Sequence, residues 1–266
     1  MKKKRQGWGP AEFPQQHYLV HPRALAGGGD IRHVSEYLRA TGWKDKSKTS
    51  GPLAMESPDR MVRIAYDPYT QPGGWTIHGK ASGHQDEWWA VLGQQTPVEV
   101  VAGLTDALNQ PRSAHAPNAW APLHEQRWRD KPNARHPTAT SPDGSAWMQY
   151  HQTPDGTAMW WSGAKDEHGN GWVAQFTSTT PLHLVQAFST ALASPEPVMR
   201  PLGRVPQSAR IRTASVSVLP SELSAWQQAR ITAARATTWA RNSARSSRPH
   251  TTARPHTHAD TPRARR

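Results

Sequence analysis

Two Ser-Pro-Asp runs are the places where this sequence sets a nucleophile type close to an acid. Ser57 and Asp59 form the first pair, and Ser141 and Asp143 form the second. A serine nucleophile needs a base within hydrogen-bonding reach, and neither run brings a histidine with it. Ser and Asp on either side of a Pro suit a tight turn, in which both side chains bond nearby amides. The runs therefore predict structural turns, and we expect no catalytic residues.

Tryptophans are the second candidate chemistry, because an exposed indole ring can stack on a ligand. Strand alternation sends Trp75, Trp88, Trp161 and Trp172 toward a helix layer. The opposite face is predicted to carry an aromatic surface made of Trp89, Val91, Trp147, Trp160 and Val173. The adjacent pairs Trp88-Trp89 and Trp160-Trp161 cannot both point into one core. This second face is either covered by another part of the chain or forms an exposed binding patch.

Metal and cofactor chemistry receives little support from the composition. The absence of Cys excludes thiolate ligands, iron–sulfur clusters and disulfides. The chain has 14 His, but His17 and His21 fall on a predicted strand and do not share a helical face. We expect no cofactor and no metal. No apolar run is long enough to cross a membrane, so the sequence predicts a cytoplasmic protein without membrane contact.

The net charge of +12 is concentrated at the two ends of the chain. Residues 1–5 carry +4, residues 200–266 carry 13 Arg against 2 acids, and the residues between are slightly acidic. The ends are either solvated tails or arms that neutralise DNA or RNA phosphates without reading sequence. The side chains that would form such arms are Lys2, Lys3, Lys4, Arg5, Arg230, Arg235, Arg241, Arg245 and Arg248.

The elements that would position the aromatic side chains occur twice, at the offset of 84 residues that separates Ser57 from Ser141. The repeat markers are Ser57, Pro58, Asp59, Tyr66, Trp88, Thr96 and Pro97, matched by Ser141, Pro142, Asp143, Tyr150, Trp172, Thr180 and Pro181. Each copy has the pattern of three antiparallel strands followed by a helix. Thr96-Pro97 and Thr180-Pro181 predict the two helix starts, and Glu99 is placed to complete a capping box in the first. The repeats join either as one continuous sheet or as a face-to-face sandwich.

The flanks of the repeats differ from them in composition. A strand from His17 and a helix from Asp30 are expected ahead of the first repeat, with Gly27 to Gly29 as a flexible joint. The predicted segments are a basic leader at 1–16, repeats at 17–112 and 113–200, a linker at 201–219, a basic helix at 220–244 and a disordered tail at 245–266. A short strand is expected near 211–218, and low apolar content predicts the disorder of the tail.

The doubled Ser-Pro-Asp run with Tyr66 and Tyr150 behind it resembles the SPDY-domain family of actinobacteria, whose members usually hold two copies. The resemblance covers about residues 17–200. It implies a fold repeated in tandem and no catalytic residues, because the activity of that family is unknown. The second copy departs from the first by lacking the Gly-Gly-Trp of residues 73–75.

The sequence therefore predicts an α+β protein of two tandem βββα repeats. The leading functional hypothesis is a non-catalytic binding or adaptor protein that uses the aromatic sheet face or the groove between the repeats for an unidentified protein partner. The alternative is a nucleic-acid-associated protein that binds DNA or RNA through the basic arms. A third hypothesis is an enzyme whose site, between the repeats, gathers Asp86, His84, His168 and Asp166. The oligomeric state does not follow from the sequence.

Overall fold

A computed structural model describes residues 12–246 except 72, 84, 112, 114, 133 and 134, without the side chains of 237 and 239–246. The helices in this part of the chain are α1 Arg32–Ala40, α2 Val98–Ala107, α3 Ala121–Glu125, α4 Leu182–Ala193 and α5 Pro220–Ser246. The strands are β1 Gln15–His21, β2 Lys44–Asp45, β3 Leu53–Glu56, β4 Val62–Asp67, β5 Gly74–Gly79, β6 Trp88–Gly93, β7 Arg129–Asp130, β8 Thr138–Thr140, β9 Ala146–Gln152, β10 Ala158–Lys165, β11 Gly171–Thr177, β12 Val198–Pro201 and β13 Arg212–Val218. The α+β class with antiparallel strands is confirmed.

Ten strands form one sheet in the order β2-β3-β4-β5-β6-β11-β10-β9-β8-β7. Five strands come from each repeat, and the two sets meet edge to edge where β6 pairs antiparallel with β11. Val91 lies opposite Gln175 at the centre of this junction. The strand order runs outward in the same sequence on both sides, which relates the repeats by an approximate two-fold axis. Of the two ways in which the repeats could join, the structure has the continuous sheet.

Helices α1 to α4 form a layer on one face of this sheet. Helices α2 and α4 lie side by side, α1 packs against α2, and α3 packs against α4. Phe188 of α4 contacts Trp172 and Phe176 of β11, with ring centroids 6.4 and 4.9 Å apart. Strand side chains of the same parity therefore share one apolar core with the helices.

Each repeat is longer than the predicted unit of three strands and one helix. It contains a first helix, two short strands, three longer strands and a second helix. The repeated signal upstream of the Ser-Pro-Asp run is Trp43-Lys44-Asp45-Lys46 against Trp128-Arg129-Asp130-Lys131. In both copies the first helix is linked to the following strand, by Arg39 with Asp45 at 2.6 Å and by His124 with Asp130 at 3.0 Å. Sequence reasoning missed this pair because it lies 85 residues apart, not 84.

A one-residue shift in the second repeat corrects the prediction for Trp160 and Trp161. Tyr66 lies opposite Trp75, and Tyr150 lies opposite Trp160, so the two Trp residues are equivalent. The ring centroids confirm this, at 4.8 Å in the first pair and 4.7 Å in the second. The segment from Tyr150 to Trp160 is one residue longer than its counterpart, and such a slip moves every following side chain of the strand to the other face. Trp160 is therefore buried, at 8 % exposure, in the core.

A second sheet of three strands, in the order β12-β1-β13, joins the N-terminal segment to the residues after the repeats. The predicted N-terminal strand and helix and the strand near 211–218 are present. The strand expected within the linker at 201–219 is β13, Arg212–Val218, which pairs with β1 along its whole length. The predicted leader lies outside the described residues up to residue 11, and the predicted tail lies outside them from residue 247.

The Ser-Pro-Asp runs form two matching turns between β3 and β4 and between β8 and β9. In the second, Ser141 Oγ donates to Asp143 Oδ1 at 2.6 Å and accepts the amide of Ala146 at 2.9 Å. In the first, Ser57 Oγ donates to Asp59 Oδ1 at 2.6 Å. The fourth turn position has a positive φ in both copies, 61° at Arg60 and 70° at Gly144. The side chains thus serve the turn and leave no activated nucleophile.

Replacing Asp143 by Ala is expected to lower the free energy of unfolding by about 1–2 kcal/mol, because the Ser141 hydroxyl and the Ser145 amide lose their acceptor. Burial raises the pKa of Asp143, but the hydrogen bonds from Ser141 and Ser145 outweigh it and leave the pKa below its usual value. This stabilisation is present above the ordinary pKa of Asp and is lost as the pH falls through the lowered folded value. Urea unfolding at neutral and acid pH measures both effects. Exposed Glu125→Ala is the control, and equal stability of the two variants at neutral pH would contradict the assignment.

Candidate binding face of the sheet

The two faces of the ten-stranded sheet differ sharply in burial. Side chains that face the helices are buried on every long strand, namely Ile64, Trp75, Ile77, Trp88, Ala90, Leu92, Met148, Trp160, Trp172, Ala174 and Phe176. We call the other side the open face. Its side chains are exposed or half-buried, namely Arg63, Ala65, Thr76, His78, Trp89, Val91, Trp147, Gln149, Met159, Trp161, Val173 and Gln175. The alternation of the strands therefore leaves one whole face of the sheet accessible.

The structure places four of the five predicted aromatic-face residues on the open face. Trp89 is 37 % exposed and Val173 is 45 % exposed, while Val91 and Trp147 are half-buried. Trp160 is the exception, because the register shift buries it and brings half-buried Trp161 to the open face instead. The signal that could have found Trp161 is the extra residue between Tyr150 and the Trp-Trp pair.

Trp147 packs over Gly163 on the open face. Its cross-strand partner is Gly163, and a Cβ placed there would lie 3.3 Å from Cζ2 and 3.4 Å from Cε2 of the indole. The ring therefore occupies the space that a side chain at Gly163 would need, as aromatic rings do over glycines in sheets. The half-buried side chain leaves part of its surface accessible to a ligand on this face.

Trp161 occupies the middle of the face, opposite Gln149 on β9 and Gln175 on β11. Its Nε1 atom is buried and makes no hydrogen bond within the described part of the chain. The exposed part of this side chain is therefore carbon surface. The side-chain amides of Gln149 and Gln175 also form no hydrogen bond among the described residues, so a ligand can reach unengaged donors and acceptors on both sides of the ring.

Charged groups lie at the margin of the open face. Two of them are paired, whereas exposed Lys80 and Lys165, at the ends of β5 and β10, form no ion pair among the described residues. Near Trp89, His78 Nε2 is 2.6 Å from Glu87 Oε1, and Arg63 Nη2 is 3.1 Å from Glu56 Oε2. The hydrogen bond from Arg63 lowers the pKa of the Glu56 carboxyl, and burial raises it. The hydrogen bond has the larger effect, so the pKa lies below its usual range. The strand segments 147–151, 159–163, 173–177 and 89–93, which carry the centre of the open face, contain no Asp, Glu, Lys or Arg. The centre of the face is thus aromatic, polar and uncharged.

A histidine pair borders the face at β8 and β9. The rings of His136 and His151 have centroids 4.1 Å apart, and His136 Nδ1 accepts the amide of Gln152 at 3.3 Å. Desolvation, followed by the neighbouring His151 and Arg135, lowers the pKa of His136. Among the described residues no group of three or more His, Asp or Glu side chains is placed to hold a metal ion.

A cleft of about 910 Å³ opens on the helix side, between the Gly27–Gly29 loop, the start of α2 and the start of α5. The buried charged groups that line this cleft bind one another and the backbone. Arg200 donates to both carboxylate oxygens of Glu99 and to the carbonyls of Ala26, Gly27 and Met199. The sequence predicts that the loop Gly27–Gly29 is a flexible joint. The loop is instead held in place by Arg200 and by the carbonyl oxygen of Gly28, which accepts a hydrogen bond from the amide of Val98 at 2.7 Å. Burial first, and then Arg230, lowers the pKa of His33 in this cleft to about 4.

One residue proposed for the basic arms, Arg230, has a structural role. Arg230 donates to both oxygens of Asp106, at 2.7 and 2.8 Å, and its guanidinium lies 4.4 Å from the centre of the Tyr37 ring. It fixes α5 and is not placed to contact phosphate. Arg235 is exposed on α5. The other proposed arm residues lie outside the described residues or side chains, namely Lys2, Lys3, Lys4, Arg5, Arg241, Arg245 and Arg248.

The residues proposed for an enzyme site do not converge in the described structure. Asp166 accepts the amides of His168 and Asn170 at 2.8 Å within its own turn. The His168 ring lies 3.5 Å from Glu167. No described contact joins either residue to Asp86, and His84 lies outside the described residues.

The fold and the open face define a tandem-repeat α+β protein with one sheet face covered by helices and one accessible. Residues 56–114 and 140–198 each match the SPDY family, described as a domain of unknown function (DUF317). The chain therefore contains two SPDY domains in tandem. The matched ranges begin at the end of β3 and within β8, so the repeated fold extends upstream of both. A comparison with the curated proteins found no match, and neither did a comparison with the solved structures.

Proposed function

We propose that this protein is a non-catalytic binding protein whose ligand docks on the open face of the ten-stranded sheet. The observation that carries the proposal is the contrast between the buried helix side and the exposed Trp89 and Val173 on the same strands. Accessible aromatic and aliphatic side chains grouped on one face are typical of an interaction site. No described helix is long and apolar enough to cross a membrane. A cytoplasmic location and an actinobacterial source stay predictions.

The test compares the wild-type chain with Val173→Arg on the open face and Thr190→Arg on the exposed side of α4. Each immobilised chain is incubated with an extract of the native cell, and the retained protein, nucleic acid and carbohydrate are quantified. A guanidinium placed in the contact with the ligand would be buried without a partner. Val173→Arg is therefore expected to retain at least about tenfold less ligand than the wild type. Thr190→Arg is expected to behave as wild type.

Folding of the variants is checked by thermal unfolding, and little change is expected because both positions are exposed. Retention that does not differ between Val173→Arg and the other two chains would overturn the proposal. A component that only Thr190→Arg loses would move the binding surface to the helix layer.

A further inference from the structure

The uncharged centre of the open face restricts the ligand. Nucleic acids bring one negative charge per phosphate, and proteins meet it with free Lys or Arg side chains. Here Arg63 is bonded to Glu56 and the His78 ring is bonded to Glu87, so the basic side chains nearest Trp89 already have carboxylate partners. An anionic ligand would find no Lys or Arg within segments 89–93, 147–151, 159–163 and 173–177, because exposed Lys80 and Lys165 lie beyond them.

The aromatic surfaces restrict the ligand further. Trp147 packs over Gly163, and Trp161 offers carbon surface because its Nε1 is buried. Trp89 follows at the far side of the repeat junction, on β6. Flat aromatic rings of this kind gain most from a ligand that has an apolar side of its own.

Polar groups between the rings indicate hydroxyl partners. Gln149 and Gln175 flank Trp161, and Thr76 lies opposite Val91 in the same row across the sheet. Each Gln amide offers two donors and one acceptor oxygen, none used within the described residues. An apolar protein partner would leave these amides buried and unpaired, which is unfavourable.

We propose that the open face binds a neutral oligosaccharide, an inference that rests on the binding role proposed above. The sugar rings of such a ligand have apolar C–H sides, and different rings of the oligomer pack on Trp147, Trp161 and Trp89. Their hydroxyl groups donate to and accept from the amides of Gln149 and Gln175. An uncharged ligand of this kind needs no contact with the charged side chains at the margin.

The test is a titration of the full chain with neutral oligomers of glucose, mannose, galactose, xylose and N-acetylglucosamine, followed by Trp fluorescence. Saturable binding of at least one oligomer is expected, with the same Kd at low and high NaCl because no ion pair forms. Trp161→Ala and Gln175→Ala are each expected to raise Kd by about tenfold or more. Trp226→Ala is the matched control, since Trp226 is 55 % exposed on α5, away from this face, and its Kd is expected to be unchanged.

Circular dichroism checks that Trp161→Ala folds, and Gln175→Ala tests the same contact if it does not. No binding to any of these oligomers, or equal Kd values for wild type and Gln175→Ala, overturns the oligosaccharide. Salt-sensitive binding of a single-stranded oligonucleotide would also overturn the oligosaccharide proposal and indicate a nucleic-acid ligand. Dimerisation of the free chain that Val173→Arg abolishes would overturn it and indicate a second copy of this chain. The binding role itself fails separately, when Val173→Arg retains what the wild type retains.

Discussion

Replacing Arg200 by Met is expected to lower the free energy of unfolding by about 3–5 kcal/mol, because it leaves a buried carboxylate without its partner. Arg200 is 3 % exposed, and its two terminal nitrogens lie 2.7 and 2.8 Å from the oxygens of Glu99. The remaining donors serve the carbonyls of Ala26, Gly27 and Met199. Removal of the guanidinium therefore disconnects β12, the glycine loop and the start of α2 at once.

The pH dependence of this loss has a definite sign. Burial raises the pKa of Glu99, but hydrogen bonding and attraction by Arg200 outweigh it and hold the pKa below its ordinary value. The ion pair thus contributes stability above the unfolded pKa of Glu, and this contribution disappears as the pH falls through the lowered folded value. In Arg200→Met the two largest influences that lower the pKa of Glu99 are gone, so burial raises the pKa and Glu99 protonates more readily. The difference in stability between wild type and variant is expected to narrow in acid.

Urea unfolding of wild type, Arg200→Met, Glu99→Gln and the double variant at neutral and acid pH measures these terms. The double variant is expected to be more stable than Arg200→Met, because it buries no unpaired charge. A matched surface control is Arg32→Met, whose partner Asp30 is exposed and whose loss is expected to stay near or below about 1 kcal/mol. If Arg200→Met lowers the free energy of unfolding as little as Arg32→Met does, then the buried Arg200–Glu99 pair does not stabilise the fold as expected.

The sequence predicts the repeated part of the fold well because its signals are local. The Ser-Pro-Asp turns and the helix starts after Thr96 and Thr180 depend on neighbouring residues, and both are present at the expected places. The predicted capping box is wrong: the N-cap residue of α2 is Pro97 in place of Thr96, the Thr96 amide donates to Gly93 O, and Glu99 is bound by Arg200, 101 residues further along the chain. Thr96 Oγ1 is left buried without a partner in the described structure. Local rules cannot foresee a competing partner so distant in sequence.

The candidate site shows the same division between local and long-range information. Alternation within β6 and β11 correctly places Trp89, Val91 and Val173 on the accessible face. The assignment of Trp160 is wrong because an ungapped comparison of the repeats hides the extra residue before β10. A one-residue error changes the face of every later side chain on the strand, so the identity of the central Trp depends on the paired register of β9 and β10.

The seam between α2 and α4 leads to a prediction whose sign opposes the usual rule. Replacement of a helical Gly by Ala normally stabilises a protein by about 0.5–1 kcal/mol. At Gly103, however, a Cβ would lie 2.3 Å from the Cβ of Ala191 and 3.2 Å from the carbonyl oxygen of Ala187. Gly103→Ala is therefore expected to destabilise by about 1–3 kcal/mol, and Gly103→Val by about 3 kcal/mol or more.

The second repeat has Ala187 where the first has Gly103, so only one of the two equivalent positions permits the close approach of the helices. Removing the Cβ of Ala191 on α4 would make room for a Cβ at residue 103. Ala191→Gly alone is expected to destabilise α4 modestly, but combined with Gly103→Ala it is expected to recover much of the loss, because the two Cβ atoms no longer compete. Thermal and urea unfolding of the four chains measure this coupling. If Gly103→Ala stabilises the protein as it would in an isolated helix, or if Ala191→Gly gives no recovery, then α2 and α4 are not packed this closely.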